Sequence, residues 1–151
     1  MTVRIRVCTT IDASPADVWG EVERIDRHVE WMADAESISF RSARTGGVGA
    51  EFEVETRVGP LRTTDVMVVT EWRPRRAMGI VHRGVVTGTG RFTLHRRRGG
   101  RTRFCWEERL AFPWWMGGPV GERAARPVLR RIWRGNLRRL RARCETGRAA
   151  R

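Results

Sequence analysis

The chain has 151 residues, of which 30 are arginine and 17 are acidic, giving a formal net charge of +13. This length predicts a single domain that buries roughly 68–70% of the surface of its unfolded chain. Lysine, tyrosine and glutamine are absent, which excludes a Schiff-base lysine, a Walker-type phosphate lysine and a tyrosine acid.

The sequence carries no pattern for membrane insertion or secretion. No run approaches the ~20 apolar residues of a membrane span, and the N-terminus leads directly into a strand pattern. A cytoplasmic location is therefore expected. Cys8, Cys105 and Cys144 are widely spaced, without a CxxC motif or a Cys/His cluster. This spacing favours three free thiols, and neither a metal nor another cofactor is expected.

The first 32 residues predict one strand and two short helices. Residues 3–11 alternate between apolar and polar side chains, as a strand does. Ser14 is a suitable N-cap for the first helix, with Pro15 at its first position. Asp26 can cap a second short helix. His28, on that second helix, is expected to be exposed.

Residues 37–112 predict six strands in series. Alternating segments are separated by short turns that contain glycine or proline, which implies an antiparallel meander. His82 shares its strand face with Met78 and Ile80. The last strand places Trp106 and Glu108 in one row, where Glu108 interrupts otherwise apolar neighbours.

A long amphipathic helix follows the last strand. Apolar residues recur at spacings of three and four from Leu129 to Cys144, and Trp133 and Asn136 fall on the same face. Pro127 lies near the start of this pattern. Prolines disrupt helix interiors.

Two starting points for this helix are therefore open. The helix either begins near Arg126, or has a first segment from Gly118 that is kinked at Pro127. Residues 146–151 are predicted to form a loose tail, so the domain is assigned to residues 1–145.

Several short motifs together indicate a family. They are SPADVW at 14–19, Trp31, VTEWRP at 69–74, GTGRFTL at 88–94 and GRTRF at 100–104. In order and spacing the chain resembles the helix-grip fold of the START-like (SRPBCC) superfamily, and more narrowly the polyketide cyclase/dehydrase and lipid-transport family.

The resemblance implies an α+β fold in which a seven-stranded curved antiparallel sheet, two short helices and a long C-terminal helix enclose a cavity. Members of the superfamily range from lipid carriers to cyclases, so the fold alone does not specify a reaction. The first and last strands pair in this fold. Cys8 and Cys105 are therefore expected to be neighbours, and to remain reduced in the cytoplasm.

The cavity is predicted to bind a small, mostly apolar ligand, either lipid-like or polyketide-like. Tryptophans would form its walls, and three polar residues would orient polar groups of the ligand. An aromatic segment before the long helix suits a portal or lid. The predicted ligand contacts are Trp31, His82, Trp106, Glu108, Trp115, Trp133 and Asn136.

Each polar candidate also has a structural interpretation. Glu108 could pair with an arginine at the cavity mouth, and His82 could be a hydrogen-bonded core residue. Asn136 could make a buried hydrogen bond to the sheet or to another side chain.

An enzyme is the alternative function. A polyketide cyclase, aromatase or dehydratase would use Glu108 and His82 as its acid/base pair. Aromatase/cyclase members of the resembled family are said to act with arginine, tyrosine and histidine groups in the cavity. The absence of tyrosine argues against that chemistry here.

The polar face of the long helix is rich in arginine. A solvated charged face is the first interpretation, and attraction to an anionic membrane surface is the second. Nucleic-acid binding is a less favoured third. The arginines of this face are Arg123, Arg126, Arg130, Arg131, Arg134, Arg138, Arg139, Arg141 and Arg143.

Overall fold

The structure, a computed structural model, describes residues 2–150. Its seven strands form one antiparallel sheet in the order β1-β7-β6-β5-β4-β3-β2. The strands are β1 (Val3–Ile11), β2 (Ala35–Phe40), β3 (Glu51–Val58), β4 (Leu61–Arg73), β5 (Ala77–Gly84), β6 (Thr87–Arg97) and β7 (Arg101–Ala111). The predicted α+β arrangement, with a curved antiparallel sheet and a long C-terminal helix, is confirmed.

Two α-helices and three short 3₁₀ helices complete the fold. The α-helices are α1 (Pro15–Val22) and α2 (Gly118–Ala149), and the 3₁₀ helices are Ile25–Glu30, Arg98–Gly100 and Trp114–Met116. None of the helices in residues 2–150 is long and apolar enough to cross a membrane.

The start of α1 follows from its capping residue, as predicted. The Ser14 hydroxyl accepts a hydrogen bond from the Asp17 backbone N–H at 3.1 Å, and Pro15 occupies the first turn. The second short helix is a 3₁₀ helix that begins at Ile25 and has Arg24 at its N-cap. The prediction that Asp26 caps it is therefore wrong.

The long helix begins at Gly118 and contains Pro127 in its interior. A start near Arg126 is thus excluded. Pro127 lies on the exposed side of α2, where water can bond the carbonyl that a proline leaves without a partner.

The prediction of a loose tail at residues 146–151 is corrected for most of its length. Helix α2 continues to Ala149. Its last turns are held by contacts to the end of β1, because Glu145 accepts from the Asp12 backbone N–H at 3.0 Å and Arg148 bonds the Asp12 carboxylate. Arg151 lies outside the described residues.

The core lies where the inward face of the sheet meets the helices. Alternation in β1 turns Val3, Ile5 and Val7 inward, and α2 packs mainly against this strand. Leu137 and Leu140 of α2 are fully buried. Full burial of such side chains contributes about 1.5–3 kcal/mol each.

The cysteines correct the expectation of three free thiols. Cys8 of β1 stands directly opposite Cys105 of β7, with a Cα–Cα distance of 4.1 Å, and the two form a disulfide. The antiparallel register explains the bond, because it places the two Cβ atoms side by side. Cys144 is free and buried, and burial raises the pKa of its thiol to about 12.

Thiol titration tests this pairing. Protein that is denatured without reductant should show one reactive thiol, from Cys144, and reduction should raise the count to three. A Cys144→Ala variant provides the control, with no thiol before reduction and two after it. Three thiols in unreduced wild-type protein would contradict the disulfide.

Candidate ligand-binding site

A cavity of about 310 Å³ lies between the sheet and helix α2. This volume is at the lower end of the roughly 300–1,000 Å³ that is usual for small-molecule sites. Two lining residues are exposed, Leu61 at 41% and Val128 at 50%. The cavity therefore reaches the surface between the turn before β4 and the first half of α2. We call this opening the mouth.

The cavity wall is mostly apolar. Strands β2 to β7 contribute most of it, and α2 closes the remaining side. Its polar side chains are His28, Asp34, Thr56, Thr63, Asp65, His82 and Glu108.

His82 and Glu108 form the central polar contact of the cavity. His82 Nε2 lies 2.7 Å from Glu108 Oε2, and the two side chains are 10% and 8% exposed. Because an ionised carboxylate can only accept, the histidine donates this bond. Glu108 therefore pairs with a histidine inside the cavity, and not with an arginine at the mouth.

The pair reaches across an intervening strand. His82 lies on β5 and Glu108 on β7, with β6 between them. Strand β6 has glycine at both relevant positions, since Gly88 is opposite His82 and Gly90 is opposite Glu108. A Cβ at Gly90 would overlap the Glu108 carboxylate. The absence of a side chain at Gly90 therefore leaves the space in which the two groups meet.

Glu108 accepts a second hydrogen bond, from the indole of Trp106. Trp106 Nε1 lies 2.8 Å from Glu108 Oε1, so each carboxylate oxygen has one donor. A carboxylate has about four lone-pair sites, so further acceptor capacity remains.

The pKa of His82 is set by opposing influences. Burial is the largest and lowers the pKa, but the charge and hydrogen bond of Glu108, with a smaller contribution from Asp65, raise it above its ordinary value. Asp65 is itself buried on β4 and accepts from the Val86 backbone N–H at 3.3 Å. The imidazole of His82 therefore holds its proton more firmly than a free histidine does, because acidic groups lie near it.

Tryptophans form the wall nearest α2. The rings of Trp106 and Trp133 stack with centroids 4.7 Å apart, and both line the cavity. Trp133 Nε1 donates to Asp34 at 3.2 Å. The indole N–H is satisfied there, so Trp133 offers the cavity an apolar face.

Three of the predicted contacts do not line the cavity. Trp31 is 1% exposed and contacts the rings of Phe92 and Trp106, which do line it. Trp31 Nε1 has no hydrogen-bond acceptor within residues 2–150. Trp115 lies outside the cavity and is 56% exposed.

Asn136 is the third, and its role is a buried structural one. Its amide donates to Asp34 at 2.7 Å, and its carbonyl oxygen accepts from the Ala33 backbone N–H at 3.0 Å and from Arg139. These bonds tie α2 to the segment before β2. Of its two interpretations, the buried hydrogen bond is the one observed.

His28 corrects a further expectation, since it is 5% exposed and lines the cavity. Its Nε2 donates to the Val22 carbonyl at 2.6 Å. Burial is the main reason that the pKa of His28 falls to about 4. This histidine is therefore neutral at pH 7.

Sequence reasoning missed two acidic residues of the cavity. Asp65 could have been found, because it alternates with Met67 and Val69 on the inward face of β4. Asp34 lies between a 3₁₀ helix and β2, where no periodicity indicates the direction of a side chain. No group of three or more His, Cys, Asp or Glu residues within 2–150 is arranged to hold a metal ion.

Comparison with known families accounts for this architecture. Residues 2–145 match the family described as polyketide cyclase / dehydrase and lipid transport. The chain belongs to this family. A comparison with the curated proteins finds no match.

Several solved structures share the fold of this chain at low sequence identity. TTHA0849 from Thermus thermophilus is 14% identical, with a TM-score of 0.78 over 96% of this chain and 99% of that one. The Zhui aromatase/cyclase from Streptomyces sp. R1128 is 14% identical, with a TM-score of 0.76 over 96% and 94%. StfQ, a di-domain aromatase/cyclase from the steffimycin biosynthetic pathway, is 16% identical, with a TM-score of 0.80 over 100% and 53%.

The depressed pKa of His28 makes a prediction about stability. The unfolded chain binds a proton near pH 6.5 and the folded chain only near pH 4, so stability falls as the pH drops through this window. Between pH 7.5 and 5.0 the loss from this group should be about 2 kcal/mol. His28→Gln should remove that part of the pH dependence, as measured by urea unfolding at both pH values.

His95 provides the matched control, because it is a histidine on the exposed side of β6. His95→Gln should keep the pH dependence of the wild type. Equal pH dependence in wild type and His28→Gln would contradict a buried neutral His28.

Proposed function

We propose that this protein binds a small, mostly apolar ligand in the cavity, with His82 and Glu108 orienting one polar group of that ligand. The observation that carries the proposal is an apolar pocket into which a single histidine–carboxylate pair is directed. Buried charged groups are costly unless they are paired and hydrogen-bonded. A hydrogen-bonded pair in a mostly apolar wall therefore suits specific recognition.

The chemistry of the pair limits what it can recognise. Glu108 is held by two donors and has lone pairs left, so it favours a ligand hydroxyl or N–H. The pair as a whole is close to neutral when His82 is protonated. A neutral ligand with one hydroxyl on an apolar skeleton therefore fits better than an anion or a strongly polar molecule.

Filling the cavity tests the proposal. Ala125 lines the pocket, whereas its neighbour Ala124 is exposed on α2. Ala125→Trp should abolish fluorescence enhancement of N-phenyl-1-naphthylamine, a neutral apolar probe, because the indole would occupy the space. Ala124→Trp should bind the probe as the wild type does. Equal binding by both variants would contradict the cavity as the site.

A second function is favoured by one observation, the preformed contact between His82 and Glu108. Such a pair can act as general acid and base, as a polyketide cyclase or dehydratase would require. Two of the similar structures are named aromatase/cyclases. Their identity to this chain, 14% and 16%, indicates the fold and not the reaction.

Glu108→Gln distinguishes binding from catalysis. In a binding protein the wild type should prefer 2-naphthol to naphthalene, and the variant should lose about 0.5–1.5 kcal/mol of that preference, or roughly two- to twelvefold in affinity. Titration calorimetry measures both ligands. Glu107→Gln is the control, because Glu107 pairs with Arg4 away from the cavity.

Product formation from a poly-β-ketoacyl thioester tests the enzyme alternative with the same variant. If the protein only binds its ligand, the wild type should form no cyclised product. Product formation that falls by about 10²–10⁴-fold in Glu108→Gln would show an acid/base enzyme instead.

The cytoplasmic location expected from the sequence stays a prediction. Cys8 and Cys105 bear on it, because disulfides persist in oxidising compartments and are rare in the cytosol. The binding proposal does not depend on the compartment, since neither cysteine lines the cavity.

A further inference from the structure

The surface around the mouth suggests a partner. We propose that this surface docks onto an anionic lipid bilayer, so that apolar ligands pass between the membrane and the cavity. We call it the mouth surface. Its exposed apolar residues are Leu61, Val85, Trp114, Trp115, Val120 and Val128.

Exposed apolar side chains are concentrated at this one place. Within residues 2–150, seven large hydrophobic residues are exposed, and all except Val48 belong to the mouth surface. Sheet register explains how they meet. Gly84 at the end of β5 pairs with Asp65 near the start of β4, and Thr87 at the start of β6 pairs with Ala111 at the end of β7. The turns before β4 and β6 and the segment after β7 therefore leave the same end of the sheet.

The mouth surface is continuous with the cavity. Leu61 and Val128 belong to both, and Met116 lines the cavity from the same 3₁₀ turn that exposes Trp114 and Trp115. An apolar ligand that left the cavity through the mouth and entered water would lose the favourable burial of its surface. A bilayer placed against the mouth would remove that cost.

Charge on α2 is distributed in a way that complements anionic lipid. In the first half of the helix, residues 118–134, five arginines have no carboxylate partner within the described chain. Glu122, the only acidic residue there, is buried and accepts from the Phe112 backbone N–H. The five arginines are Arg123, Arg126, Arg130, Arg131 and Arg134.

The second half of α2 differs, because much of its charge is neutralised internally. Arg141 pairs with Glu145, Arg143 with Glu21 and Glu30, and Arg148 with Asp12. Uncompensated positive charge thus lies on the half of α2 that borders the mouth. Arg123, Arg126 and Arg130 are on its side toward β1, beside Arg4 and Arg6. Basic residues near an anionic leaflet strengthen binding to it.

The aromatic residues favour a bilayer over an acidic protein or a second copy of the chain. Trp114 is 87% exposed, and tryptophans are enriched at the membrane interface, where the ring meets the headgroups. Two copies would bring uncompensated positive charge together. Part of the apolar surface of α2 is also available to a bilayer, because Val120 and Val128 are exposed.

Vesicle flotation tests the proposal with purified full-length protein. The protein should float with vesicles of phosphatidylcholine mixed with phosphatidylglycerol, and not with phosphatidylcholine alone. Trp114→Ser combined with Trp115→Ser should weaken binding by about tenfold or more, because two interfacial rings are lost. Val48→Ser is the control, since Val48 is 54% exposed away from the mouth.

A second pair of variants separates local charge from total charge. Arg130→Glu with Arg131→Glu should weaken vesicle binding by about tenfold or more. Arg96→Glu with Arg97→Glu changes the net charge equally at the opposite end of the sheet, and should have a much smaller effect.

Several results would overturn the proposal. These are absence of binding to the anionic vesicles, equal loss in both arginine pairs, or tryptophan-dependent self-association without lipid. Tighter binding to soluble polyglutamate than to vesicles would favour an acidic protein instead. N-phenyl-1-naphthylamine binding should persist in the mouth-surface variants, so failure of docking and failure of cavity binding can be told apart.

Discussion

The contact between His82 and Glu108 constrains the rest of the structure. Neither group could remain charged inside an apolar wall alone, and removal of one partner from a buried pair typically costs about 3–5 kcal/mol. The pair spans three strands, so β5, β6 and β7 must keep their register for it to form. Gly90 must also stay without a side chain, because a Cβ there would overlap the carboxylate. The polar contact in the cavity can therefore form only because β6 has no side chain at position 90, where one would otherwise pack.

The attachment of α2 explains why a cavity persists beside a well-packed core. Polar bonds fix α2 in its middle, where Asn136 and Trp133 bond Asp34 and not the sheet. From there to its C-terminus the helix is anchored by Leu137, Leu140 and the ion pairs of its last turns. Its first half instead covers the side of the cavity nearest the mouth, with Ala125, Val128 and Leu129 as lining residues. One helix thus closes the core at one end and leaves a pocket at the other.

Period-two and period-3.6 patterns predict the strands, the long helix and the inward positions of His82, Trp106, Glu108 and Trp133. The family resemblance predicts how these elements assemble. The patterns do not predict bonds that depend on irregular segments. Asn136 lies on the inward stripe of α2, but its partner Asp34 comes from a loop. The periodicity of the helix alone therefore cannot distinguish a ligand contact from a structural one. The prediction that His28 is exposed assumes an α-helix. The segment is instead a 3₁₀ helix, which has three residues per turn, and in this geometry the His28 side chain points inward. Cys8 and Cys105 are correctly predicted to be neighbours, but their oxidation state depends on register and on compartment.

The electrostatics of the pair favour recognition over turnover. Glu108 raises the pKa of His82, so the imidazole holds its proton more firmly than a free histidine would. A general acid must give up its proton during each cycle, and the neighbouring carboxylate makes that step harder. Both oxygens of Glu108 already accept hydrogen bonds from protein donors. When His82 is protonated, this arrangement is a fixed dipole of nearly zero net charge inside a mostly apolar pocket. Such a dipole can select and orient a ligand hydroxyl without the desolvation cost of an isolated charge.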